Sequence, residues 1–353
     1  MVLAASAAVR ADPFTPYDPD FASQWYGPVL GLPQAWGYSL GSAGITVAVL
    51  DTGVMLGTPD LVGRVLPAVA PEGVPVMDGT ANHHGTWVAS VAAMGVNDGL
   101  HGAGVGNFSI LPVTVTNGAG NASPDDIAAG IRLAAEAGAR VINVSLGALT
   151  YGPLDDAAAY ARTKGALVFV AAGNSDKRKD MIDYANLVFV SGTMRGDVRW
   201  SNESGGSTYG PFVDIAAPAD DVMAADPTLA KGYGFGHGTS YAAPLVAGAA
   251  ALAWSINPNL TADEVLDLLY RTAVDLGAYG VDEEYGHGRV DIGAVAAAAA
   301  YTLVPEPATL ALVASGFAVV LLVRPRRGRT VRRYRSQAPL GRRQASHKVP
   351  ASI

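Results

Sequence analysis

The chain has 353 residues, of which 50% are hydrophobic and 16% are charged. This composition excludes an intrinsically disordered protein and predicts one large globular core. The charge is uneven: ten of the 24 Lys and Arg residues follow residue 323, where no acidic residue occurs, which leaves 14 basic against 31 acidic residues and a net charge of −17 before that point. Such an acidic body argues against nucleic acid as a partner. Because the chain has no cysteine, disulfides, thiol catalysis and cysteine metal sites are excluded.

The amino-terminal residues predict a short leader followed by a surface segment. Residues 1–11, MVLAASAAVRA, form an apolar run that ends in a small residue. This is typical of the last part of a signal peptide, although the usual basic start is missing, and a disordered leader is the alternative. Residues 12–36 are rich in Pro, Asp and aromatic residues, and we expect them to form an extended segment that wraps the surface of the main domain.

The next part of the chain alternates between strands and helices. Continuous apolar, β-branched runs predict strands buried on both faces at residues 45–51, 109–116, 139–146, 165–174 and 186–192. Helical stretches lie between them at residues 84–95, 123–138 and 153–165. The helix near 124 has an N-cap residue, Ser123, followed by Pro124 and two acidic residues. This alternation predicts an α/β fold with a parallel sheet, in which functional residues collect at the carboxyl ends of the strands.

Ser240 is a candidate nucleophile at the start of a predicted helix, directly after a glycine-rich turn. A serine hydroxyl needs a neighbouring base to take its proton and a third group to orient that base. The chain has six histidines. Asp51 is the one charge that ends an apolar strand, where an ionised group is costly unless it is paired. Alternatively, Ser240 caps a helix, Asp51 caps a turn and the histidines lie on the surface.

Three motifs occur in a fixed order: VAVLDTG at 47–53, HGTWVAS at 84–90 and HGTSYAAPLVAG at 237–248. VINVSLG at 141–147 and VAAGN at 170–174 lie between the last two. Over about residues 20–300, this set resembles the subtilisin-like serine peptidases (subtilases, peptidase family S8). The resemblance implies an α/β, three-layer subtilisin-like fold, with a mostly parallel central sheet and helices on both faces, and a peptidase domain at residues 12–302. It also implies hydrolysis of peptide bonds in protein or peptide substrates.

The resemblance assigns a role to four side chains. Ser240 is the nucleophile, His84 the general base and then the acid, and Asp51 the group that orients and stabilises His84. Asn174 donates to the oxyanion together with the backbone N–H of Ser240. His83, one position away from the motif, receives no catalytic role.

Substrate contacts follow from the same resemblance. Two edge segments are expected to bind the substrate as an added strand through backbone hydrogen bonds, and they consist of Ser145, Leu146 and Gly147 on one side and Gly118, Ala119 and Gly120 on the other. Because hydrogen bonds to the substrate backbone do not distinguish between its side chains, we expect broad specificity. Trp87, Tyr241 and Leu245 depart from the commonest family pattern without removing a catalytic group.

No cofactor is required by this chemistry, and the metal content is left open. Asp60 matches a position that binds calcium in many relatives, and the loop at 96–104 would supply carbonyl ligands; a solvated loop is the alternative. A metal hydrolase that uses His83, His84 and Asp78 is a further reading, but the three have no defensible ligand spacing. A third is a catalytically silent subtilase-fold protein that acts as a binding or surface module.

The carboxyl-terminal residues predict export and membrane contact. Residues 303–327 resemble a PEP-CTERM sorting signal, in which the apolar run 308–323 is a membrane segment and the arginines after it stay cytoplasmic. This implies a Gram-negative bacterium, an exosortase-like processing enzyme as a partner, and delivery to the envelope, the surface or the medium. A permanently anchored protein is the alternative. Residues 328–353 are basic and predicted to be disordered.

Overall fold

The sequence forms a central parallel sheet with helices before, between and after its strands. The structure is a computed structural model that describes residues 11–80, 82–117, 120–147 and 151–303. The strands in this part of the chain are β1 (Thr46–Asp51), β2 (Ser109–Thr114), β3 (Val141–Val144), β4 (Leu167–Ala171), β5 (Leu187–Met194), β6 (Val198–Arg199), β7 (Ser201–Asn202), β8 (Gly205–Gly206), β9 (Ile215–Pro218), β10 (Val222–Ala225) and β11 (Tyr233–Gly236). The helices are α1 (Tyr26–Val29), α2 (Leu32–Trp36), α3 (His84–Ala93), α4 (Pro124–Glu136), α5 (Gly152–Thr163), α6 (Thr239–Ile256), α7 (Ala262–Arg271) and α8 (Ile292–Tyr301).

The sheet has the strand order β2-β1-β3-β4-β5-β6, and β9 also pairs with β5. All of these pairs are parallel except β5 with β6, which is antiparallel. β10 and β11 form a separate antiparallel hairpin. The predicted mostly parallel sheet is confirmed, and each of the five predicted strands overlaps an observed one.

Alternate residues of the strands pack on opposite faces of the sheet, which is why the strand sequences are apolar throughout. Val47 and Val49 of β1 face a core that includes α3, α6 and α8. Ala48 and Leu50 face a second core that includes α4 and α5. The three-layer arrangement predicted from the family resemblance is therefore confirmed.

Local sequence signals account for the helix starts. Ser123 is the N-cap of α4, and its side chain accepts a hydrogen bond from the Asp126 N–H, as expected. α6 begins at Thr239, one residue before the predicted start at Ser240. It is long and apolar enough to cross a membrane, but 83% of its apolar window is buried in the core. We therefore identify α6 as the central helix of the domain.

The prediction of an extended segment at residues 12–36 was wrong. The segment contains a 3-10 turn at Phe21–Ser23 and the two short helices α1 and α2, and its Tyr26, Leu32 and Trp36 are buried. The physical reason lies in the prolines, which we associated with extended chain. Pro33 occupies the first turn of α2, where its missing N–H would have no helical partner in any case.

Several predicted segments lie outside the described residues. They include most of the signal-like run at 1–11, the apolar run 308–323 and almost all of the sorting-signal region at 303–327, and the basic tail 328–353. The leader, the membrane segment and the disordered tail therefore stay predictions.

One partly buried carboxyl group outside the strand ends makes the stability of the fold depend on pH. Asp214 accepts hydrogen bonds from the Phe189 N–H at 2.7 Å and the Tyr270 hydroxyl at 3.3 Å. Burial raises the pKa of Asp214 to about 7, with the charge of Asp183 acting in the same direction and the Phe189 bond against it. Because the folded-state pKa is above the ordinary 3.8, the stabilising contribution is complete below about pH 4 and is lost as the pH rises through 7.

We expect Asp214→Asn to stabilise the protein above pH 7, since the amide accepts the same N–H and carries no charge to bury. The gain is expected to be on the order of 2 kcal/mol in the free energy of unfolding, because one pKa unit corresponds to about 1.4 kcal/mol and partial exposure weakens the effect. Urea unfolding at pH 4 and pH 8 measures it. An equal effect at both pH values would contradict the assignment.

Candidate active site

Polar side chains collect at the carboxyl ends of three neighbouring strands. Asp51 is the last residue of β1, Ser145 follows β3, and Asn174 lies three residues after β4. These strands are adjacent in the order β1-β3-β4. Parallel strands place their carboxyl ends at one edge of the sheet, so the three residues share the crevice predicted from the sequence.

Asp51 and His84 are in direct contact. The Asp51 side chain is fully buried, and the Nδ1 atom of His84 lies 2.9 Å from each carboxylate oxygen. A further donor, the Thr52 N–H, binds Oδ1 at 2.8 Å. The carboxylate is thus paired and hydrogen-bonded, which a buried charge requires.

The His84 ring is held at the start of α3 by its neighbours. Its backbone N–H donates to Asn82 Oδ1 at 3.0 Å. The next residue must be glycine, because a Cβ atom on Gly85 would lie 2.2 Å from the Gly53 carbonyl oxygen. This close approach of α3 to the end of β1 brings the imidazole to Asp51.

The electrostatic environment favours a charged His84. Burial lowers the pKa of His84, but the charge of Asp51 and their hydrogen bond outweigh it, so that the pKa lies above its usual value of 6.5. The imidazole donates from Nδ1 to Asp51, which leaves Nε2 as its proton acceptor. Such a ring can take a proton and hold the resulting charge.

Ser240 is the second residue of α6, and its hydroxyl donates to the Ser145 carbonyl at 3.1 Å. In this structure the hydroxyl is thus bound to Ser145 and not to His84; the hydrogen bond between a candidate nucleophile and its candidate base is often looser in the absence of substrate. The Ser145 hydroxyl in turn donates to the Ser240 carbonyl at 2.9 Å. The two residues therefore hold each other in place.

Pro244 explains why the Ser240 carbonyl is available to Ser145. Proline lies four residues after Ser240 inside α6 and has no N–H, so this helical carbonyl lacks its regular partner. The Ser145 hydroxyl takes that place, and it is itself held by the Asn143 side-chain amide at 2.9 Å. A break in the helical hydrogen bonding thus ties the segment after β3 to the start of α6.

Asn174 is exposed but firmly oriented. Its Oδ1 atom accepts from the Thr239 backbone N–H at 2.9 Å and from the Thr239 hydroxyl at 2.8 Å. Because Oδ1 is bound to Thr239, the Nδ2 hydrogen atoms point away from Thr239. Gly238 gives them room: it has φ +133°, and a Cβ there would lie 3.1 Å from Nδ2.

The predicted substrate segments are placed in part. Ser145 is buried, Leu146 half-buried and Gly147 exposed, with open space where a Cβ would be. On the opposite segment Gly120 has φ +79°, and a Cβ there would lie 3.0 Å from the Nδ2 atom of Asn82. Gly118 and Ala119 lie outside the described residues. Gly120 therefore comes close to the residue that fixes the His84 backbone.

Sequence reasoning missed four residues that position the site: Thr52, Asn143, Thr239 and Pro244. Thr52 and Thr239 belong to the DTG and GTS motifs, so their signal was present but unassigned. Asn143 is a buried amide within an apolar strand, and Pro244 breaks a helical pattern. Each was visible as a polar or helix-breaking exception to its surroundings.

The surroundings of Asp60 leave the predicted calcium site open. Both Asp60 side-chain oxygens are buried without a hydrogen-bond partner, which fits a cation ligand. However, the Nε2 atom of His101 lies 4.0 Å from the carboxylate in the position of a counterion. Across the residues that the structure describes, no three His, Asp or Glu side chains converge in a way that would hold a metal ion. This also leaves the set His83, His84 and Asp78 without support.

Comparison with known proteins places this geometry in a family. A family model described as "Subtilase family" matches residues 42–288. The chain belongs to the subtilase family. Thermitase from Thermoactinomyces vulgaris is 39% identical to this subtilase over 247 residues, which are 68% of this chain and 85% of thermitase. The present chain is therefore a serine-type endopeptidase of the subtilisin-like class.

Two further relatives extend the comparison. The halolysin-like extracellular serine protease Nep from Natrialba magadii is 33% identical over 287 residues, or 78% of this subtilase, which spans about half (52%) of Nep. A solved protease structure from Pseudoalteromonas arctica is 31% identical in sequence and has a TM-score of 0.69. The match covers 81% of this chain and 99% of that protease. The sequence and fold comparisons thus agree.

Proposed function

We propose that this subtilase cuts peptide bonds through Asp51, His84 and Ser240 as a catalytic triad, with Asn174 as an oxyanion donor. The observation that carries the proposal is the contact between His84 Nδ1 and the buried Asp51 carboxylate at 2.9 Å. It supplies a base that is already oriented, at the edge of the sheet where Ser240 begins α6.

The mechanism follows from these positions. His84 Nε2 takes the Ser240 proton while Oγ attacks the peptide carbonyl, and Asp51 stabilises the imidazolium that forms. The oxyanion receives hydrogen bonds from Asn174 Nδ2 and from the Ser240 N–H, which is among the first N–H groups of α6 and has no acceptor within the helix. His84 then donates its proton to the leaving amine, and water hydrolyses the acyl-enzyme by the same steps.

The substrate would bind as an extended strand along Ser145, Leu146 and Gly147. Gly147 is exposed, with nothing near the position of a Cβ, so a second backbone can approach it. The opposite segment, of which Gly120 is described, would complete the pairing. Since these contacts involve the backbone, we propose broad specificity.

Digestion of a denatured proteome, followed by mass spectrometry of the products, tests the activity and the specificity together. New peptide ends that appear with the wild-type protein and not with Ser240→Ala support the proposal. A properly folded wild-type protein that produces no new ends would favour the alternative, a catalytically silent member of the fold that acts as a binding or surface module.

We expect Asn174→Leu to lower kcat by about 10²–10³ with little change in KM, because the donor acts on the developing oxyanion. The magnitude is taken from a subtilisin, in which removal of one oxyanion donor lowers kcat by this factor. The assay is steady-state hydrolysis of a peptide substrate. Asn259→Ala is the matched control: Asn259 is exposed beyond the far end of α6, about 27 Å away for 18 residues at 1.5 Å each. Equal losses in both variants would contradict an oxyanion role.

We further propose that the enzyme is exported to the cell envelope and beyond. The relative Nep is an extracellular serine protease, and the apolar run at 308–323 with arginines after it fits a sorting signal. An exosortase-like enzyme would cut near Pro305-Glu306-Pro307. Mass spectrometry of the carboxyl terminus of the secreted form tests this, since a full-length terminus in the medium would contradict processing.

Structural calcium stays a prediction, and no step of the mechanism depends on it.

A further inference from the structure

The Trp87 side chain lies against the His84 ring, one helical turn further along α3. The two ring centres are 6.4 Å apart and the ring planes are inclined at 67°, which is an edge-to-face contact. The His83 ring has a similar relation to the indole, at 6.4 Å and 71°. The indole is half-buried and also packs on the hydrophobic core. It therefore limits how far the His84 imidazole can rotate toward this side of the helix.

The Trp87 ring is itself fixed by the chain that follows β10. Its indole N–H donates to Asp226 Oδ2 at 3.1 Å, and Asp226 Oδ1 accepts from the Thr228 N–H at 3.0 Å. A second link runs through the Ser90 hydroxyl, which donates to the Trp87 carbonyl at 2.7 Å and accepts from the Ala225 N–H at 2.9 Å. Because the acceptor of the indole is a buried carboxylate, movement of the ring would break a strong, charge-assisted hydrogen bond.

The pKa of His84 is sensitive to what holds its ring. The titratable groups around the two rings are Asp51, His83, Asp226 and Tyr241. Burial alone would raise the pKa of Asp226, but hydrogen bonds that include the one from Trp87 hold it below its usual value. Burial, with the charges of Asp226 and Asp51, raises the pKa of Tyr241 to about 12, so this neighbour is neutral.

Two effects on the His84 ring oppose each other. Burial lowers the pKa of His84, whereas Asp51 raises it and outweighs burial. Loss of the indole would therefore raise the pKa of His84 if it only exposed the ring to water. It would lower the pKa if it freed the ring from Asp51. The direction of the change distinguishes a shielding role of Trp87 from a positioning role.

We propose that Trp87 is a positioning residue that holds the His84 ring against Asp51. The bond to Asp226 keeps the indole in place for this task. Without the indole, the imidazole would swing away from the carboxylate in part of the molecules, and misplacement of a catalytic group by about 1 Å can cost about 10²-fold in rate. The proposal rests on the proposed function, since Trp87 acts through His84 and touches no reacting atom.

The rate at which a fluorophosphonate probe labels Ser240, measured across the pH range, tests the proposal. The probe has no peptide backbone, so its rate reports on the nucleophile and its base. We expect Trp87→Ala to slow labelling about tenfold on the pH plateau and to move the acid limb to lower pH, because Asp51 then acts on His84 less. Trp87→Phe keeps an aromatic edge beside His84 and should recover most of the rate and the wild-type acid limb.

A double-mutant cycle with Asp51→Asn separates positioning from general damage. If Trp87 acts through the contact between His84 and Asp51, Trp87→Ala should slow labelling much less in the Asp51→Asn background than in wild type. Equal factors in the two backgrounds would overturn the proposal. So would an acid limb that stays in place or moves to higher pH, the second of which would show shielding alone. If Trp87→Ala does not fold, Trp87→Leu keeps more of the buried volume and should show the same downward shift.

Trp25→Ala is the matched control. Trp25 is also half-buried, and its indole N–H donates to the Asp220 carbonyl at 3.1 Å, but its ring packs edge-on against Tyr26. The variant makes the same chemical change without touching the His84 ring and should leave the labelling rate and the acid limb unchanged. Equal changes in the two tryptophan variants would contradict the assignment of Trp87. A wild-type protein that is not labelled at any pH would instead refute the proposed function.

Discussion

Ser240→Ala is expected to abolish peptide hydrolysis, with a loss of about a millionfold in kcat. The substitution removes the atom that would form the acyl-enzyme in the proposed mechanism, while the α6 backbone, the hydrogen bonds between Asn174 and Thr239 and the His84–Asp51 pair remain. The magnitude is taken from a subtilisin, in which removal of the nucleophilic serine lowers kcat by this factor. Steady-state hydrolysis of a peptide substrate measures the loss, and a fluorophosphonate probe should label wild type and not the variant.

A second serine of the same helix is the control. Ser255 lies near the far end of α6 and donates to the Ala251 carbonyl at 2.9 Å, so Ser255→Ala makes the same chemical change away from the strand ends. It should keep full activity and labelling. If Ser240→Ala retained labelling in folded protein, another nucleophile would have to be sought and the proposed triad abandoned.

The sheet was predictable because its strands are buried on both faces. Nearly every position of β1 and β3–β5 is buried, so the sequence shows mostly apolar runs. The family resemblance predicted the three layers. The same logic located the site. Asp51 is conspicuous in sequence because it is the charge at the end of such a run, and the structure buries it fully.

Contacts between remote segments were not predictable in this way. The bond from Ser145 to the Ser240 carbonyl depends on a proline four residues further along a different element. The hydrogen bond from Trp87 of α3 to Asp226, the residue after β10, likewise joins remote segments, and no periodic pattern encodes it. The helices at residues 21–36 were missed since their burial, and not their helix propensity, holds them.

Asp51→Asn is expected to lower kcat/KM by about 10⁴ while the fold persists. An amide at this buried position donates to His84 Nδ1, which fixes the tautomer with its proton on Nε2, and such a ring cannot accept the proton of Ser240. The magnitude comes from the same substitution in a serine protease of another fold. Hydrolysis across the pH range measures the effect.

The pH profile carries a second signature. In wild type the carboxylate holds the pKa of His84 above 6.5, and acylation needs neutral His84, so the acid limb of kcat/KM should lie above pH 6.5. In Asp51→Asn the charge is gone and burial still lowers the pKa, so the remaining activity should show its acid limb at lower pH.

The chain contains a matched control for this change. Asp220 Oδ1 lies 2.7 Å from His237 Nδ1, a second Asp–His contact that is more exposed and has no part in the proposed chemistry. Asp220→Asn breaks it while leaving Asp51 and His84 as they are. We expect less than a threefold change and an unmoved acid limb, since an exposed pair contributes about 1 kcal/mol or less. Comparable losses in the two variants would mean that the surface charge, and not the buried carboxylate against His84, governs the rate.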